Sequence, residues 1–515
     1  MERISLLDGT SLVQNSSAET RNPGGYAGTE LSFEIDTLNL ISAQLNLNSS
    51  RTNDYSDQLS TLARGAQLLQ QYRTNNTNST LSKGWDASMN YQIGFHEDKG
   101  KLLTFSYRYL SYVDNLNSDL RFSERYAFSG SDYFQENLSA VSEHTLQADY
   151  VQTIKQVATE LGVKWIDRRN ESEFSSTALD GTVASGLGNN YLNDQQVWAL
   201  YNSYQFKLLN WSVKMGMRLE STGVDVNFSS QAEQVQQRYL NFIPNLAAGR
   251  KIGKAGNLNI GFGRRIKRPG INKLNPFVDR SNPAFEGTGN PDLKPSLINN
   301  IMVGYGVSSK LAVTMGINYS WVKSLFVQAS AFNTETQITR TTFENTGKAQ
   351  AFDADLNLRY AITKAWNASV NLHGTYMLLE ALNAGASLSN NWFFYNASVS
   401  TGYNLNAGWR LTAGLDVKSR NMVNLQGTSN GYIASFFGIN KDILKNKLSF
   451  SATVNNAFTK NRNNIVETTG PNFLQTSTRL DYFRNYNLSL NYRFGKLKEG
   501  IKKNKRSINN DDLSN

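Results

Sequence analysis

Three histidines, His96, His144 and His373, are the side chains in this 515-residue chain best suited to acid–base work or metal ligation. His96 stands beside Glu97 and Asp98 in a short turn and reads as a solvated turn residue. His144 follows Glu143 near the start of a strand. His373 alternates with Asn371 and Thr375, which points it to a polar interior. No pair has His-x-x-x-His spacing, and no serine or aspartate makes a recognisable catalytic group with any of them. The chain has no cysteine, so disulfides, zinc–cysteine sites and cysteine nucleophiles are excluded. Gly261, Gly263 and Gly270 lie in a strand and a proline turn, not on a strand-to-helix turn, so they form no nucleotide loop. Neither enzyme activity nor a metal or cofactor is expected. The remaining chemistry is ligand binding by aromatic rings. Tyr126 and Tyr133 fall in a polar stretch at 114–139, and Trp392 and Phe393 follow Asn390 and Asn391. Such rings stack on sugars or hydrophobic ligands, or pack against one another. Arg108, Lys164 and Asp416 would set the polarity of an interior.

The elements that position these residues follow from composition and period. Hydrophobic residues make up 39% of the chain, below the usual globular share, and charged residues only 18%. Aromatics remain high at 11%, which argues against disorder. No stretch approaches the length of an apolar transmembrane helix. The net charge of +10 includes a C-terminal run, Lys496, Lys498, Lys502, Lys503, Lys505 and Arg506, which reads as a solvated tail and not a nucleic-acid surface. An aromatic-rich, neutral-polar, proline-poor chain fits a membrane β-barrel, whose strands face lipid on one side and a polar lumen on the other. A large soluble β protein is the competing class.

The apolar period is 2 almost throughout. Leu311, Val313, Met315, Ile317, Tyr319 and Trp321 alternate with Ala312, Thr314, Gly316, Asn318 and Ser320. Similar rows run over 409–418, 448–455 and 486–494, long enough for tilted strands to cross a bilayer. Tyr and Trp collect toward row ends, as in interfacial girdles. Short connections near 36–37, 96–100, 153–156, 207–208, 253–256, 308–310, 363–365, 406–408 and 444–447 alternate with long polar ones. The long set spans roughly 51–82, 114–139, 168–194, 222–237 and 266–295, with further loops near 332–336, 380–390, 420–430 and 459–476. Short turns on one side and long loops on the other is the outer-membrane pattern. The count is about nineteen strands, from 26–36 to 482–494, with a possible twentieth near 2–14. Both the first and last run toward the short-turn side, so the expected barrel begins partway round. The residues preceding it show no export signal. The expected organisation is a truncated barrel start or loop at 1–25, an outer-membrane barrel at 26–494 and a periplasmic tail at 495–515.

One segment departs from the strand pattern. Arg264, Arg265, Ile266, Lys267, Arg268 and Pro269 lead to Leu274, Asn275, Pro276 and Phe277, then to Gly289, Asn290, Pro291, Asp292, Leu293, Lys294 and Pro295. Its prolines preset turns and remove ladder donors, so an ordered loop with a basic entry is expected. The segment resembles the RRxxRP…LNPF…GNPxLKP loop of TonB-dependent outer-membrane receptors. Arg265, Arg268, Pro269, Asn275, Pro276, Gly289, Asn290, Pro291, Lys294 and Pro295 carry that resemblance. The family pattern continues with Glu where this chain has Ser296. Phe343 with Asn345–Lys348, and Val454–Phe458, are similar to later family landmarks. Leu488–Phe494, with Tyr492 and Phe494, resembles the aromatic-ended signal read by the barrel assembly machinery. The tail is similar to that of the Bacteroidetes-type outer membrane β-barrel family.

The resemblance implies an all-β, antiparallel 22-stranded barrel in the Gram-negative outer membrane, plugged by an N-terminal domain and energised by TonB. About nineteen or twenty of its strands are expected here, with the plug absent. The implied function is the barrel portion of a receptor for iron chelates, glycans or another nutrient, not transport-competent alone. TonB would act only through the missing N-terminal part. A porin-like diffusion channel and a surface adhesin or structural barrel are the alternatives. Expected partners are outer-membrane lipid, the assembly machinery and the nutrient ligand, and not nucleic acid.

Overall fold

The computed structural model describes residues 1–98, 100–179, 188–228, 235–276, 278–383, 386–444 and 447–492, with Ile508, Asn510 and Leu513–Ser514. Alternating apolar and polar residues with β-branched and aromatic enrichment build long strands. Nineteen of them form one continuous antiparallel ladder from Gly24–Glu34 to Asn485–Tyr492. Wall strands pair with their chain neighbours throughout. Short strands inserted at 278–288, 421–429 and 461–482 stand on the long-loop side. Of the described residues, one turn of helix, Ile271–Leu274, and one 3-10 turn, Asn406–Gly408, are the helical pieces. No plug domain is evident among them.

The short-turn side falls where the sequence places it, to within a residue or two. The turn expected at 207–208 is formed by Leu209–Asn210, with Leu209 at φ 53°. Ala407 and Gly408 have φ of 60° and 77°, the left-handed pair that lets a tight hairpin follow the strand twist.

The outer surface of the ladder is apolar. Leu246, Phe262, Ile301, Tyr319, Phe352, Tyr376 and Phe393 are successive direct partners across seven strands. Met89, Tyr107, Leu146, Trp165 and Trp198 make a similar row across five others. Many of these rings and chains are solvent-exposed, among them Trp198, Phe393 and Ile317. A continuous apolar belt of this size has no place on a soluble protein and needs lipid.

Above the belt the side-chain parity inverts. On Trp211–Phe228, the outward residues Val213, Met215, Met217 and Leu219 give way to Ser221, Gly223, Asp225 and Asn227. On the inward face, the lower Ser212, Lys214, Gly216 and Arg218 give way to buried Val224, Val226 and Phe228. Val157–Ala178 behaves alike: Leu161, Val163 and Trp165 face out, then Ile166 and Phe174 are buried inward while Arg169, Glu171 and Glu173 face out. The segments anticipated as long polar loops are therefore largely strand extensions. Asn39–Arg64 and Gln67–Gly94 stay paired up to a tight turn at Gly65. Their polar composition reflects water on the outer face, not loss of the ladder.

The inward apolar residues of the extensions form two cores. One joins Tyr191, Val224, Val226 and Phe228 to Leu274 and Leu293 of the proline-rich loop and to Phe326. The other joins Val322, Val327, Ala349, Leu379, Ala381 and Leu425. Full burial of such a side chain contributes about 1.5–3 kcal/mol each.

Residues near 2–14 are not a twentieth wall strand. Glu2–Ser5 and Thr10–Arg21 pair with each other, and Thr10–Arg21 pairs with Asn53–Arg64 of the extension, on the long-loop side. At the other extreme, the described residues of the segment expected to be a periplasmic tail stand inside the barrel. Asn510 meets Glu143 and Thr145, and Leu513–Ser514 pairs with Arg268–Pro269. Among the described residues, Gly24–Glu34 and Asn485–Tyr492 each have a single strand neighbour, and every residue in both is exposed.

Candidate functional site

The lumen wall is polar because each strand's inward set is made of Ser, Thr, Asn, Gly and charged residues. Thr375 donates to Asp353 at 2.6 Å, Asn318 donates to Asp353 at 2.9 Å, and His373 Nδ1 lies 2.8 Å from Asp355. His373 thus faces the interior, as its alternation implied. Arg108 makes two 2.9 Å bonds to Asp86. His144 is on the opposite face, among the girdle rings: Tyr107 Oη is 2.9 Å from its Nδ1, and the Tyr109 ring centre is 4.6 Å away. His96 caps nothing catalytic in its short turn. Among the described residues no group of three or more His, Cys, Asp or Glu could hold a metal ion.

Two buried ion pairs mark the level where parity inverts. Arg168 bonds Glu143 at 2.5–2.7 Å and Gln195 at 2.6 Å, and both charged side chains are almost wholly buried. Arg268 donates to Glu220 at 2.7 Å and to Thr222 at 3.0 Å; Glu220 also pairs with Arg218. Buried charges persist only when paired in this way. Sequence reading singled out Arg268 by its motif but missed Glu143, Arg168 and Glu220. Their one signal is a charge at an inward position directly below the parity change.

The proline-rich loop is built as a clasp. Gly256–Pro269 extends the strand up to Pro269, which ends it, so the expected loop begins later than its basic entry. Ile271–Leu274 turns the chain, and Gly289 N donates to Asn275 O at 2.9 Å while Asn290 N donates to Lys273 O at 2.6 Å. A Cβ on Gly289 would come within 2.4 Å of Asn275 O and 2.8 Å of Lys273 O, so only glycine allows this approach. Thr288 donates to Pro276 O at 2.9 Å, and Asn275 Nδ2 reaches Ser172 at 3.3 Å. Gln237 donates to Pro291 O. Asn290 Nδ2 donates to Phe343 O at 2.9 Å. Lys294 N donates to Asn345 Oδ1 at 2.7 Å, and Asn345 Nδ2 donates back to Lys294 O at 2.9 Å. Two motifs read separately in the sequence, GNPDLKP and FENTGK, are thereby one structure. Pro295 is half-buried and leads to Ser296, which is buried and accepts from Phe326 N at 3.3 Å. Arg265 and Lys294 are exposed. Burial, and beyond it the charge of Lys267, lowers the amine of Lys273 below its ordinary value. Phe277 lies outside the described residues.

The four aromatic ligand candidates are not brought together. Tyr126 is exposed at the outer end of Leu102–Tyr126. Tyr133 packs against Tyr72, Leu120 and Phe122. Trp392 packs against the core around Leu425. Phe393 stands in the outward apolar row, where it faces lipid and not the lumen. Tyr492 ends the last wall strand, opposite Leu448; Phe494 lies outside the described residues. Sequence reading also missed Arg3. Its guanidinium is buried, donates to Thr339 at 2.8 Å and Gln337 O at 3.0 Å, and lies 4.3 Å from the Phe332 ring centre.

A lipid-belted antiparallel barrel with an ordered outer superstructure is an outer-membrane protein. The chain belongs to the outer membrane protein beta-barrel family, whose model matches residues 94–492. No curated protein matches its sequence. Among solved structures it is similar to the copper transporter OprC, with TM-score 0.61 and 12% identity over 93% of this chain and 83% of that one. The ferric citrate transporter FecA gives 0.57 and 12% over 95% and 76%. The siderophore receptor PiuA from Acinetobacter baumannii gives 0.57 and 10% over 95% and 80%. At these identities the likeness is one of fold, that of the TonB-dependent receptor barrels.

Proposed function

We propose that the chain is the barrel portion of a TonB-dependent receptor that takes up a small nutrient across the outer membrane. The observation that supports this best is the strand count with its two free edges. Nineteen wall strands already exceed the 16–18 of porins, and an unpaired edge facing lipid is costly. Three further strands of the same barrel, between Gly24–Glu34 and Asn485–Tyr492, would give the 22-stranded class that carries a plug. On this reading gating and energy coupling rest on a plug and a TonB-contacting segment outside these residues, so the barrel portion alone does not transport. Tyr492 and Phe494 serve as the assembly signal. Ligand is met on the long-loop side, where Tyr126 presents its ring to solvent and Tyr133 and Trp392 flank the outer cores. The solved relatives' cargoes make copper, ferric citrate and siderophores the first probes to try.

The test is made on protein purified from native outer membranes. Its intact mass is expected well above 57.6 kDa, and in planar bilayers it should pass no steady ion current. A mass near that of this chain would overturn the barrel-portion reading. Constant ohmic steps without added energy would make it a porin-like channel instead.

A further inference from the structure

The upper end of Gly256–Pro269 leaves the barrel wall. Its ladder to Val235–Ile252 stops at Gly263, opposite Asn245 and next to Pro244, which has no amide to donate. Its ladder to Ser296–Val307 continues only to Lys267. Beyond these points the backbone of Arg268–Pro269 has no neighbour in the wall. An open strand edge inside a lumen is a template for adding an extended segment. Side-chain anchors stand near the same level, about eleven residues above the short turns on their own strands. These are Glu143 and Thr145, beside the buried Arg168.

The structure seats a segment there. Leu513–Ser514 pairs in parallel with Arg268–Pro269. Asn510 Nδ2 donates to Glu143 Oε1 at 2.5 Å and to Thr145 Oγ1 at 2.9 Å, and Ile508 is buried. The reach is sufficient. Tyr492 ends at the short-turn side, and the roughly fifteen residues before Ile508 can span up to about 50 Å. The height to be climbed is on the order of 30 Å for strands tilted as in such barrels.

We propose that the lumenal edge at Arg268–Pro269, with Glu143 and Thr145, is a docking site for an extended peptide, and that its occupant is this chain's own C-terminal segment, Ile508–Ser514. The barrel then carries an internal strand that narrows its lumen from the periplasmic side. This goes beyond the receptor reading and does not depend on which nutrient is carried.

The absence of cysteine makes the test direct. The full-length protein carrying Thr145→Cys and Asn510→Cys is oxidised in intact outer membranes and run unreduced on a denaturing gel. Expected is an internally cross-linked, faster band that thiol reagents abolish and that neither single variant gives. The control is Ser369→Cys with Ser400→Cys, a direct cross-strand pair whose hydroxyls are 2.6 Å apart. A control that cross-links while the Thr145–Asn510 pair does not, in protein that still shows the heat-dependent mobility shift of a folded barrel, overturns the proposal. Labelling of the single Asn510→Cys variant by a bulky maleimide separates the cases again. Slow labelling that speeds up on unfolding agrees with a seated tail, and labelling as fast as in unfolded protein refutes it.

Discussion

Replacing Arg268 by Met removes one member of the best-buried ion pair of the motif loop. The Arg268 and Glu220 side chains retain 1% and 6% of their exposure and meet at 2.7 Å. At an effective dielectric of about 20 their gross attraction is about 6 kcal/mol. Arg268→Met leaves Glu220 buried with Arg218, which is a quarter exposed and compensates only in part. The expected loss is therefore about 3 kcal/mol, the low end for breaking a buried pair. Glu220→Gln alone leaves the guanidinium with Thr222 among its remaining contacts and should cost a similar amount. The double variant removes both charges and replaces them with groups of similar volume, so its loss should be about 1–2 kcal/mol. The cycle then gives a coupling energy of about 4 kcal/mol. Urea unfolding in lipid vesicles, followed by tryptophan fluorescence, measures each term. If Arg268→Met stays within about 1 kcal/mol of the wild type, or the two losses simply add, the pair is not buried and coupled as described.

Further expectations concern the belt, the clasp and the N-terminal hairpin. Ile317→Arg, at mid-belt on the outward face, should cost about 2–4 kcal/mol in vesicle unfolding, while the lumen-facing Thr314→Arg costs far less; equal effects would place the belt wrongly. Gly289→Ala should cost about 1–3 kcal/mol from overpacking against backbone atoms and should speed tryptic cleavage at Lys273 and Lys294, whereas unchanged cleavage would mean the clasp tolerates a Cβ. Asp8 is held well below the usual carboxylate range, first by the Ser5 hydroxyl, then by Thr10 and Gln337 against a partial desolvation cost. Its folded pKa is lowered, so its contribution to docking the hairpin is present above the unfolded value of about 4 and lost as pH falls through the folded one. Hydrogen exchange in residues 1–21, corrected for intrinsic rates, should accelerate in acid in the wild type and show no such step in Asp8→Asn.

The wall was legible because a strand buries one face in one solvent, and period 2 records that face directly. Nineteen wall strands and their short turns could be read from rows such as Leu311–Trp321. The outer half was read as loop because polarity there was taken as absence of structure. In Val157–Ala178 the outward Arg169, Glu171 and Glu173 are polar only because they face water. The pairing of GNPDLKP with FENTGK was hidden for a different reason. About fifty residues separate Asn290 from Phe343, and their contact is made by backbone carbonyls and side-chain amides that leave no periodicity. Arg3 was invisible too, since a cation in a short N-terminal stretch gives no sign that rings from residues 285 and 332 enclose it.

The parity inversion connects these points physically. A strand that crosses from lipid to water must change which face is apolar if it is to stay in one sheet. In lipid the outward face is apolar and the lumen wet; above lipid the outward face is wet, and only the inward face remains to bury apolar groups. Val224, Val226 and Phe228 do this three residues beyond Glu220, and Phe174 does it beyond Arg168. The buried ion pairs sit at the crossover, where neither face has yet become a core and a charge can be paired within the wall. The proline-rich loop supplies what the inverted face needs, since Leu274 and Leu293 close the core that those strands open. The clasp through Gly289, Asn290 and Asn345 fixes the loop in place. Loosening the clasp should therefore expose the inward apolar row and weaken the outer superstructure before it disturbs the lipid-facing belt. Gly289→Ala separates these: early proteolysis above the membrane with an unchanged heat-dependent mobility shift is expected, and simultaneous loss of both would mean that wall and cap fold as one unit.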